Sequence, residues 1–259
     1  MEKETEEKLA KSLTAETTEL LEYIPYLLCD LWEIGSSPYD MEELIRKNIK
    51  HYENFEVLDL GCGKGAVSVK LAESLGIHVK GIDIIGDFIE FARKKSVEYE
   101  VSHLCEFVLG DINEAVTMEK DYDIVIFGAV GNVLGNPEET LRKLKKTIKD
   151  NGFILIDEAY LISSAESIKY KNYEYLPYDE WLCIFEKLGL RVAAEITVSA
   201  EQEVGSDAEM AFIEKRAEEL IKKFPEKKSI FTGYIQSQKN EYEDLEENVK
   251  GVTWLLQKI

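Results

Sequence analysis

Short apolar runs alternate with longer stretches in which apolar residues recur every three or four positions, from about residue 56 onward. The short runs predict β-strands, and the helically spaced stretches between them predict helices. Strands that alternate with helices form the units of a parallel sheet, so the pattern indicates an α/β fold. The predicted strands are 56–60, 77–83, 104–109, 122–128, 152–158, 190–199 and 251–258.

The helix between the fourth and fifth predicted strands has clear boundary signals. Pro137 stands where a first turn would begin, a position at which the missing N–H group of proline costs nothing. Asn151 and Gly152 are typical of the end of a helix. We therefore expect this helix to span 137–149.

Residues 1–50 are predicted to form a helical cap ahead of the main domain, 51–259. Charges alternate over 2–13, which indicates a mobile or loosely docked helix. Pro25 either kinks the next segment or separates two short helices. The aromatic residues of the cap, which either close over a ligand or pack against the core, include Tyr23, Tyr26 and Trp32.

Three glycines at alternate positions follow the first predicted strand: Gly61, Gly63 and Gly65. A strand, a glycine turn and a helix allow the backbone to approach a nucleotide cofactor closely. Asp59 lies two residues before the first glycine, and Asp83 ends the second predicted strand. The sequence therefore predicts a nucleotide-type cofactor at this edge of the sheet.

Two kinds of cofactor, a dinucleotide and S-adenosylmethionine, are compatible with this sequence pattern. Gly61, Gly63 and Ala66 satisfy the dinucleotide pattern G-x-G-x-x-A, with Asp83 in range of a ribose hydroxyl. Asp59 decides between them, because a carboxylate beside the loop repels a pyrophosphate and attracts a cation. S-adenosylmethionine carries a sulfonium and an ammonium group, so we predict this cofactor.

Residues 59–65, which read DLGCGKG, resemble the first motif of class I S-adenosylmethionine-dependent methyltransferases of the small-molecule type. Asp83 matches the acid that closes the second strand in that family. The resemblance covers roughly 50–200 and the final strand. It implies a doubly wound, Rossmann-like sheet of seven mostly parallel strands, with helices on both faces and an antiparallel last strand.

The resemblance also implies cofactor contacts after the first four strands, where open α/β sheets bind ligands. Asp83 would bind the ribose hydroxyls, with Ile84 against the adenine. Asp111 would accept from the adenine amino group beside Ile112, although Asp111 also suits a turn or a helix cap. The predicted cofactor-binding residues are Asp59, Leu60, Gly61, Cys62, Gly63, Gly65, Asp83, Ile84, Asp111, Ile112, Gly128 and Ala129.

Methyl transfer draws its reactive group from the cofactor, so the protein mainly supplies proximity and alignment. No catalytic residue is assigned on this basis. Asn132 is a candidate for orienting an acceptor, and Glu158 and Tyr160 are candidate proton acceptors. The three histidines precede or begin strands at the opposite edge, so we expect no catalytic histidine, and no metal site is predicted.

Residues 160–181 hold five of the thirteen tyrosines and follow the fifth strand, beside the place where an acceptor must enter. Aromatic walls bind a flat ring by stacking or an amine cation through the ring face. We therefore expect a small aromatic or amine acceptor. Tyr178 and Trp181 are instead expected to pack against the next helix.

The chain carries 51 acidic and 31 basic residues, a net charge of −20. Nucleic-acid binding depends on Lys and Arg that neutralise phosphates, so a nucleic-acid acceptor is disfavoured. The sequence lacks an apolar run of membrane-spanning length and an apolar signal-peptide centre. Four scattered cysteines indicate reduced thiols. These features predict a cytoplasmic protein that acts on a small molecule.

A helical pair at about 206–248 separates the last two strands, where the resembled family usually has a short hairpin. It covers the acceptor site, forms a homodimer contact or stabilises the fold, and the sequence does not choose among the three. Two rival functions also stay open. One is a regulatory protein that binds S-adenosylmethionine without turnover, and the other is an NAD-dependent oxidoreductase.

Overall fold

A computed structural model describes residues 3–197 and 206–259. Its single seven-stranded sheet has the order β3-β2-β1-β4-β5-β7-β6, and only β7 runs antiparallel to its neighbours. The predicted fold class is confirmed. The strands are β1 (Glu56–Leu60), β2 (His78–Asp83), β3 (Cys105–Leu109), β4 (Tyr122–Gly128), β5 (Ile148–Leu161), β6 (Leu190–Thr197) and β7 (Val249–Lys258).

Helices cover both faces of the sheet, because the central strands are apolar on both sides. In β4, Val125 and Phe127 face one core layer, while Ile124 and Ile126 face the other. The α-helices are α1 (Lys3–Ser12), α2 (Ile24–Leu27), α3 (Pro38–Asn48), α4 (Ala66–Leu75), α5 (Gly86–Glu98), α6 (Ile112–Met118), α7 (Pro137–Leu144), α8 (Tyr178–Lys187), α9 (Ser206–Lys223) and α10 (Lys228–Glu247).

The predicted boundary between α7 and β5 is wrong. Helix α7 ends at Leu144 rather than at 149, and β5 begins at Ile148 rather than at 152. Ile148 continues the helical stripe in the sequence, but it is buried in the structure by pairing with Tyr122. Asn151 adopts φ +61° within the strand, where the pairing register shifts, instead of ending a helix.

The remaining strand boundaries differ from the prediction by at most three residues. Strands β1 and β4 match it, while β2, β3, β5 and β7 are shifted or extended at their ends. Strand β6 is described as far as Thr197, so predicted positions 198–199 lie outside the described residues.

The N-terminal cap and the helical insertion, which were predicted separately, pack against each other. Leu27 of α2, Ala217 of α9 and Phe231 of α10 are all fully buried in one shared cluster. Asp30 and Arg216 join the two segments through an ion pair of 2.6 Å. We call this layer, formed by the cap together with α9 and α10, the roof; it lies over the carboxyl ends of the strands.

Helix α1 is docked rather than loose, contrary to the expectation for 2–13. Ala10 is 3% exposed, and the Tyr170 hydroxyl donates to the Lys11 carbonyl at 2.8 Å. Pro25 lies in the first turn of α2, so it separates two short helical segments. Within 3–197 and 206–259, every helix is too short or too polar to cross a membrane.

Candidate cofactor-binding site

The glycine turn after β1 is tight because all three of its glycines have positive φ: Gly61 +76°, Gly63 +52° and Gly65 +73°. A Cβ atom on Gly65 would lie 2.6 Å from Ala92 Cβ, whereas one on Gly63 would meet nothing within 4 Å. Gly65 therefore permits close packing of α4 and α5. Gly63 leaves open space on the ligand side of the turn.

Two carboxyl groups flank this turn. Asp59 is 3% exposed, and its side chain accepts a hydrogen bond from the Ser68 hydroxyl at 2.6 Å. Burial raises the pKa of Asp59 to about 7, and the charge of Asp83 adds to this effect. Asp83 accepts from the backbone N–H groups of Gly63 and Ile85 at 2.9 and 2.8 Å. These bonds hold the Asp83 carboxyl at the end of β2.

Burial also raises the pKa of Asp83, against the opposing effect of the backbone N–H groups that it accepts from. Asp59 and Asp83 thus form an acidic pair in a poorly solvated place, where charge is costly without a cation. A ligand with positive charge would relieve that cost.

The third predicted acid, Asp111, is the N-cap of α6. Its side chain accepts from the Asn113 N–H at 2.8 Å. It also lines the same cleft as Asp59 and Asp83, next to Ile112. The helix-cap role that the sequence left open is therefore present, and it is compatible with a contact to a ligand in the cleft.

The close approach of the cap accounts for the small residues at the end of β4. A Cβ on Gly128 would lie 2.3 Å from Ser36 Oγ, so glycine here lets the cap approach the strand end. Ala129 has φ +53°, a conformation that is uncommon outside glycine. Both residues line the cleft, and the Gly35 backbone packs directly against Ala129.

The cleft joins most of the residues that the sequence predicted. Leu60 and Gly65 are exceptions, because Leu60 is fully buried in the core and Gly65 packs against α5. The predicted residues that line the cleft are Asp59, Gly61, Cys62, Gly63, Asp83, Ile84, Asp111, Ile112, Gly128 and Ala129. The residues that sequence reasoning missed include Leu9 and Ser12 of α1, Leu13 directly after it, Ile34 and Ser36 of the cap, and Phe88 of α5.

Lys64, within the glycine turn, is also a cleft residue that the prediction did not include. It is 4% exposed, and its ammonium group donates to the carbonyls of Leu28, Cys29 and Leu31 in the cap. Burial lowers the pKa of Lys64. Trp32 lines the cleft as well, as the prediction for the cap allowed.

The other two cap aromatics pack against the insertion instead. The Tyr23 ring lies edge-on to Phe231 with 5.0 Å between centroids. The Tyr26 hydroxyl donates to Glu219 at 2.5 Å. Both therefore contribute to the roof.

The three candidates for acceptor chemistry lie in different surroundings. Asn132 is exposed in the turn after β4, and the cap of α7 is Asn136, which the sequence signal N-P-E-E marks as a capping box. Tyr160 packs on Tyr178 with 5.0 Å between ring centroids, which favours a packing role. Glu158 accepts from the Tyr173 hydroxyl at 2.6 Å.

Burial raises the pKa of Glu158 to about 7. The side chain is half-buried, and its hydrogen-bond partner is the neutral Tyr173 hydroxyl. Among the three candidates, Glu158 thus has the surroundings of a group that exchanges a proton near neutral pH.

Tyr178 and Trp181 have packing roles, as expected, but they belong to α8 themselves and pack on Trp254 of β7. Trp181 is 1% exposed and lies 5.3 Å from the Trp254 ring. The histidines His51, His78 and His103 are exposed at the amino ends of the strands, on the side of the sheet away from the cleft. The four cysteines are free thiols.

Comparisons with known proteins agree with this architecture. A solved S-adenosylmethionine-dependent methyltransferase from Geobacter sulfurreducens, in complex with S-adenosylhomocysteine, superimposes with a TM-score of 0.76. The two sequences are 20% identical, and the match covers 92% of this chain and 98% of that one. At this identity the likeness establishes the fold.

Curated relatives are similar over parts of the chain. A ubiquinone biosynthesis O-methyltransferase of Rickettsia akari (strain Hartford) is 33% identical over 124 residues, 46% of this chain and 48% of the relative. A phosphoethanolamine N-methyltransferase of Plasmodium falciparum (isolate 3D7) is 24% identical over 207 residues, 76% of each chain. The first of these matches spans about half the length of its relative.

The family model described as a methyltransferase domain matches residues 51–248, about three quarters of the chain. This match includes the glycine turn, the three acids at the strand ends and the whole of the insertion. The chain therefore belongs to the methyltransferase-domain family.

Proposed function

We propose that this protein is an S-adenosylmethionine-dependent methyltransferase that acts on a small-molecule acceptor in the cytoplasm. One observation carries the proposal: the buried Asp59 carboxyl beside the glycine turn is hydrogen-bonded to a neutral hydroxyl rather than to a cation. A sulfonium or ammonium group would compensate this carboxylate, whereas a pyrophosphate would be repelled by it.

Residues at the strand ends suit the ribose and adenine parts of the cofactor. Asp83 is oriented by two backbone N–H groups and keeps acceptor capacity for ribose hydroxyls. Ile84 and Ile112 offer apolar contacts to an adenine ring, and Asp111 lies beside them in the cleft. The names of the two curated relatives, which describe methyl transfer to small molecules, support the same conclusion.

When bound, S-adenosylmethionine supplies the methyl group and the leaving group of the reaction. The chain supplies binding, alignment and exclusion of water. Helix α1 and Trp32 cover the cleft from the roof side, while Ala129 and Val130 form its wall near β5. An acceptor approaching from β5 would thus meet the cofactor in a partly enclosed space.

Binding experiments test the cofactor assignment. S-adenosylmethionine and S-adenosylhomocysteine are expected to raise the melting temperature, and NAD is expected to leave it unchanged. Asp59→Asn should weaken S-adenosylmethionine binding about tenfold or more, while the exposed Asp179→Asn on α8 serves as the control. Stabilisation by NAD, or a gain of NAD binding in Asp59→Asn, would make the protein an oxidoreductase candidate instead.

Turnover separates an enzyme from a regulatory protein that only binds the cofactor. The protein is incubated with S-adenosylmethionine and a panel of small aromatic and amine acceptors, and S-adenosylhomocysteine is quantified by mass spectrometry. Acceptor-dependent product formation is expected. Tight cofactor binding without turnover across the panel would favour the regulatory alternative. Sedimentation of the same samples tests the homodimer prediction.

A further inference from the structure

A cluster of tyrosines and acids lies beside the cleft, at the junction of β5, α1, α10 and the segment after β5. We call Glu158, Tyr173, Tyr175, Tyr234 and Glu241 the tyrosine–acid cluster. The Tyr173 ring lies 4.8 Å from the Tyr175 ring between centroids, and the Tyr173 hydroxyl donates to Glu158 at 2.6 Å. The pKa of Tyr175 is raised chiefly by burial, and the charges of Glu241 and Glu158 add to this effect.

Helix α10 turns a polar face inward at this place. Tyr234, Gln238 and Glu241 follow one another at helical spacing, so they share one face. The Glu241 carboxyl accepts from the Thr14 hydroxyl at 2.5 Å, and burial raises the pKa of Glu241. A buried helix face normally carries apolar side chains, so this polar face requires a reason other than packing.

Tyr234 contributes a buried hydroxyl to this polar face. Its side chain is 1% exposed, and its hydroxyl has no hydrogen-bond partner in the part of the chain that the structure describes. Burial raises the pKa of Tyr234, the charge of Glu241 adds to this effect, and the Gln238 side chain on the same helix face opposes it. A buried hydroxyl without a partner costs free energy unless a ligand or water completes its hydrogen bond.

The cluster adjoins both the cleft and a second cavity. An added Cβ on Gly131 would lie 3.6 Å from the Tyr173 ring and 3.8 Å from Ser12, and Ser12 lines the cleft. Tyr173 also lines a second cavity of about 380 Å³, together with Tyr170, Lys171 and Tyr175. This volume lies in the range of small-molecule sites.

The charges of the cluster select among small acceptors. Within 3–197 and 206–259, neither Glu158 nor Glu241 has a lysine or arginine within ion-pair distance. A phenol attacks a methyl group effectively only when it loses its proton and becomes a phenolate. Nearby carboxylates raise the pKa of a phenol, so they oppose that step. An ammonium ion is instead attracted by the carboxylates and by the faces of the tyrosine rings.

We propose that the tyrosine–acid cluster is the acceptor site and that the acceptor is a small primary or secondary amine, which enters as a cation. This inference rests on the proposed function, because it names the acceptor for the same methyl transfer. Glu158 contacts the bound nitrogen, and Tyr173 and Tyr175 form the walls. Tyr234 and Glu241 bind a polar group or second charge farther from the sheet.

The proposed reaction balances with the groups present. Glu158, as carboxylate, accepts one proton from the bound ammonium and leaves a nitrogen lone pair. That lone pair forms the new N–C bond as the S–C bond of S-adenosylmethionine breaks, and the S–C electron pair stays on sulfur. The methylated nitrogen carries the positive charge that the sulfonium had. Glu158 then releases its proton to water, with the Tyr173 hydroxyl beside it.

Calorimetry on protein saturated with S-adenosylhomocysteine tests the proposal with matched probe pairs. Tyramine is compared with 4-ethylphenol, which lacks only the amine, and ethanolamine is compared with ethylene glycol. We expect at least one amine to bind at least about tenfold tighter than its uncharged partner. Equal or weaker binding of the amine in both pairs, or binding of neither member, would overturn the proposal.

Substitutions of the two acids test whether the amine binds at the tyrosine–acid cluster. Glu158→Gln and, separately, Glu241→Gln should reduce amine binding by about tenfold while S-adenosylhomocysteine binding stays unchanged, which also reports an intact fold. Glu166→Gln, exposed in the segment after β5, is the matched control. Unchanged amine binding in both cluster variants would contradict the assignment.

These outcomes are distinguishable from failure of the proposed function. If S-adenosylhomocysteine itself does not bind, the cofactor assignment fails. If it binds and the amines are not preferred, only the acceptor assignment fails. With S-adenosylmethionine present, mass spectrometry of the amine probes should detect a gain of one methyl group on nitrogen.

Discussion

The indole N–H of Trp32 donates a hydrogen bond of 3.1 Å to the backbone carbonyl of Lys64, at the centre of the glycine turn. The Lys64 ammonium group in turn donates hydrogen bonds to the cap, to the Leu28 and Cys29 carbonyls at 2.9 and 3.2 Å and to the Leu31 carbonyl. One residue of the turn therefore both donates to and accepts from the cap. Lys64 therefore couples the position of the cap to the shape of the glycine turn.

Lys64→Met is expected to lower the free energy of unfolding by about 3 kcal/mol, because it leaves several buried carbonyls without a donor. It should also weaken S-adenosylmethionine binding, since the cap no longer holds the turn. Urea denaturation and calorimetry measure the two effects. Lys94→Met, at an exposed position of α5, is the control. Equal stability of the two variants would show that the Lys64 contacts contribute little.

The last two glycines of the turn, Gly63 and Gly65, should respond differently to alanine. Gly65→Ala combines positive φ with a 2.6 Å approach to Ala92, so we expect a loss of about 3 kcal/mol or more in unfolding free energy. Gly63→Ala meets open space, and its cost should be about 1–2 kcal/mol from backbone strain alone. Denaturant unfolding of both variants measures these costs.

Gly63→Ala, the less destabilised of the two variants, is nevertheless expected to weaken cofactor binding. The new methyl group of Gly63→Ala projects into the cleft, so this variant should lose S-adenosylmethionine binding even where it is folded. A Gly63→Ala variant with wild-type affinity would mean that the cofactor does not approach the turn closely.

The buried carboxyls predict a pH dependence of stability for the unliganded protein. Burial raises the pKa of Asp59, Asp157 and Glu158 to about 7 in each case, whereas unfolded carboxyls ionise near pH 4. The folded state therefore binds more protons between these values. The contribution of these groups to the free energy of unfolding falls as pH rises from about 4 to 7, and it is constant above.

Asp59→Asn removes one of these contributions, because an amide does not titrate. Its stability relative to wild type should increase by up to about 4 kcal/mol as pH rises through this window. Urea denaturation of both proteins at several pH values measures the difference, and Asp179→Asn, an exposed change, should follow wild type. A constant difference between Asp59→Asn and wild type would mean that Asp59 has an ordinary pKa.

Asp111 has two roles that a single substitution separates. Asp111→Ser keeps an N-cap oxygen for the Asn113 N–H, so the unfolding free energy should change by less than about 0.5 kcal/mol. The shorter side chain no longer reaches a ligand in the cleft, and S-adenosylmethionine should bind about tenfold more weakly. Asp111→Ala should lose about 1 kcal/mol of stability in addition. Unchanged affinity in Asp111→Ser would leave helix capping as the role of Asp111.

Local signals predicted the glycine turn because its geometry is local. Positive φ at Gly61, Gly63 and Gly65 depends on these residues and their immediate neighbours. The acids at the ends of β1 and β2 follow from where the apolar runs stop. The same kind of signal failed at Ile148, because an apolar residue after a helix fits either a last helical turn or the start of a strand. Pairing with Tyr122 of β4 decided for the strand.

The sequence by itself determined the α/β class, the positions of the strands and the glycine turn with its acids, since periodicity and short-range sterics encode them. Only the tertiary structure decided that the cap and the insertion form one roof, that Lys64 is buried in the cap and that Glu241 lies against Thr14. Thr14 and Glu241 are 227 positions apart. A helical stripe shows that a face is buried, but the packing partner of that face depends on the whole chain.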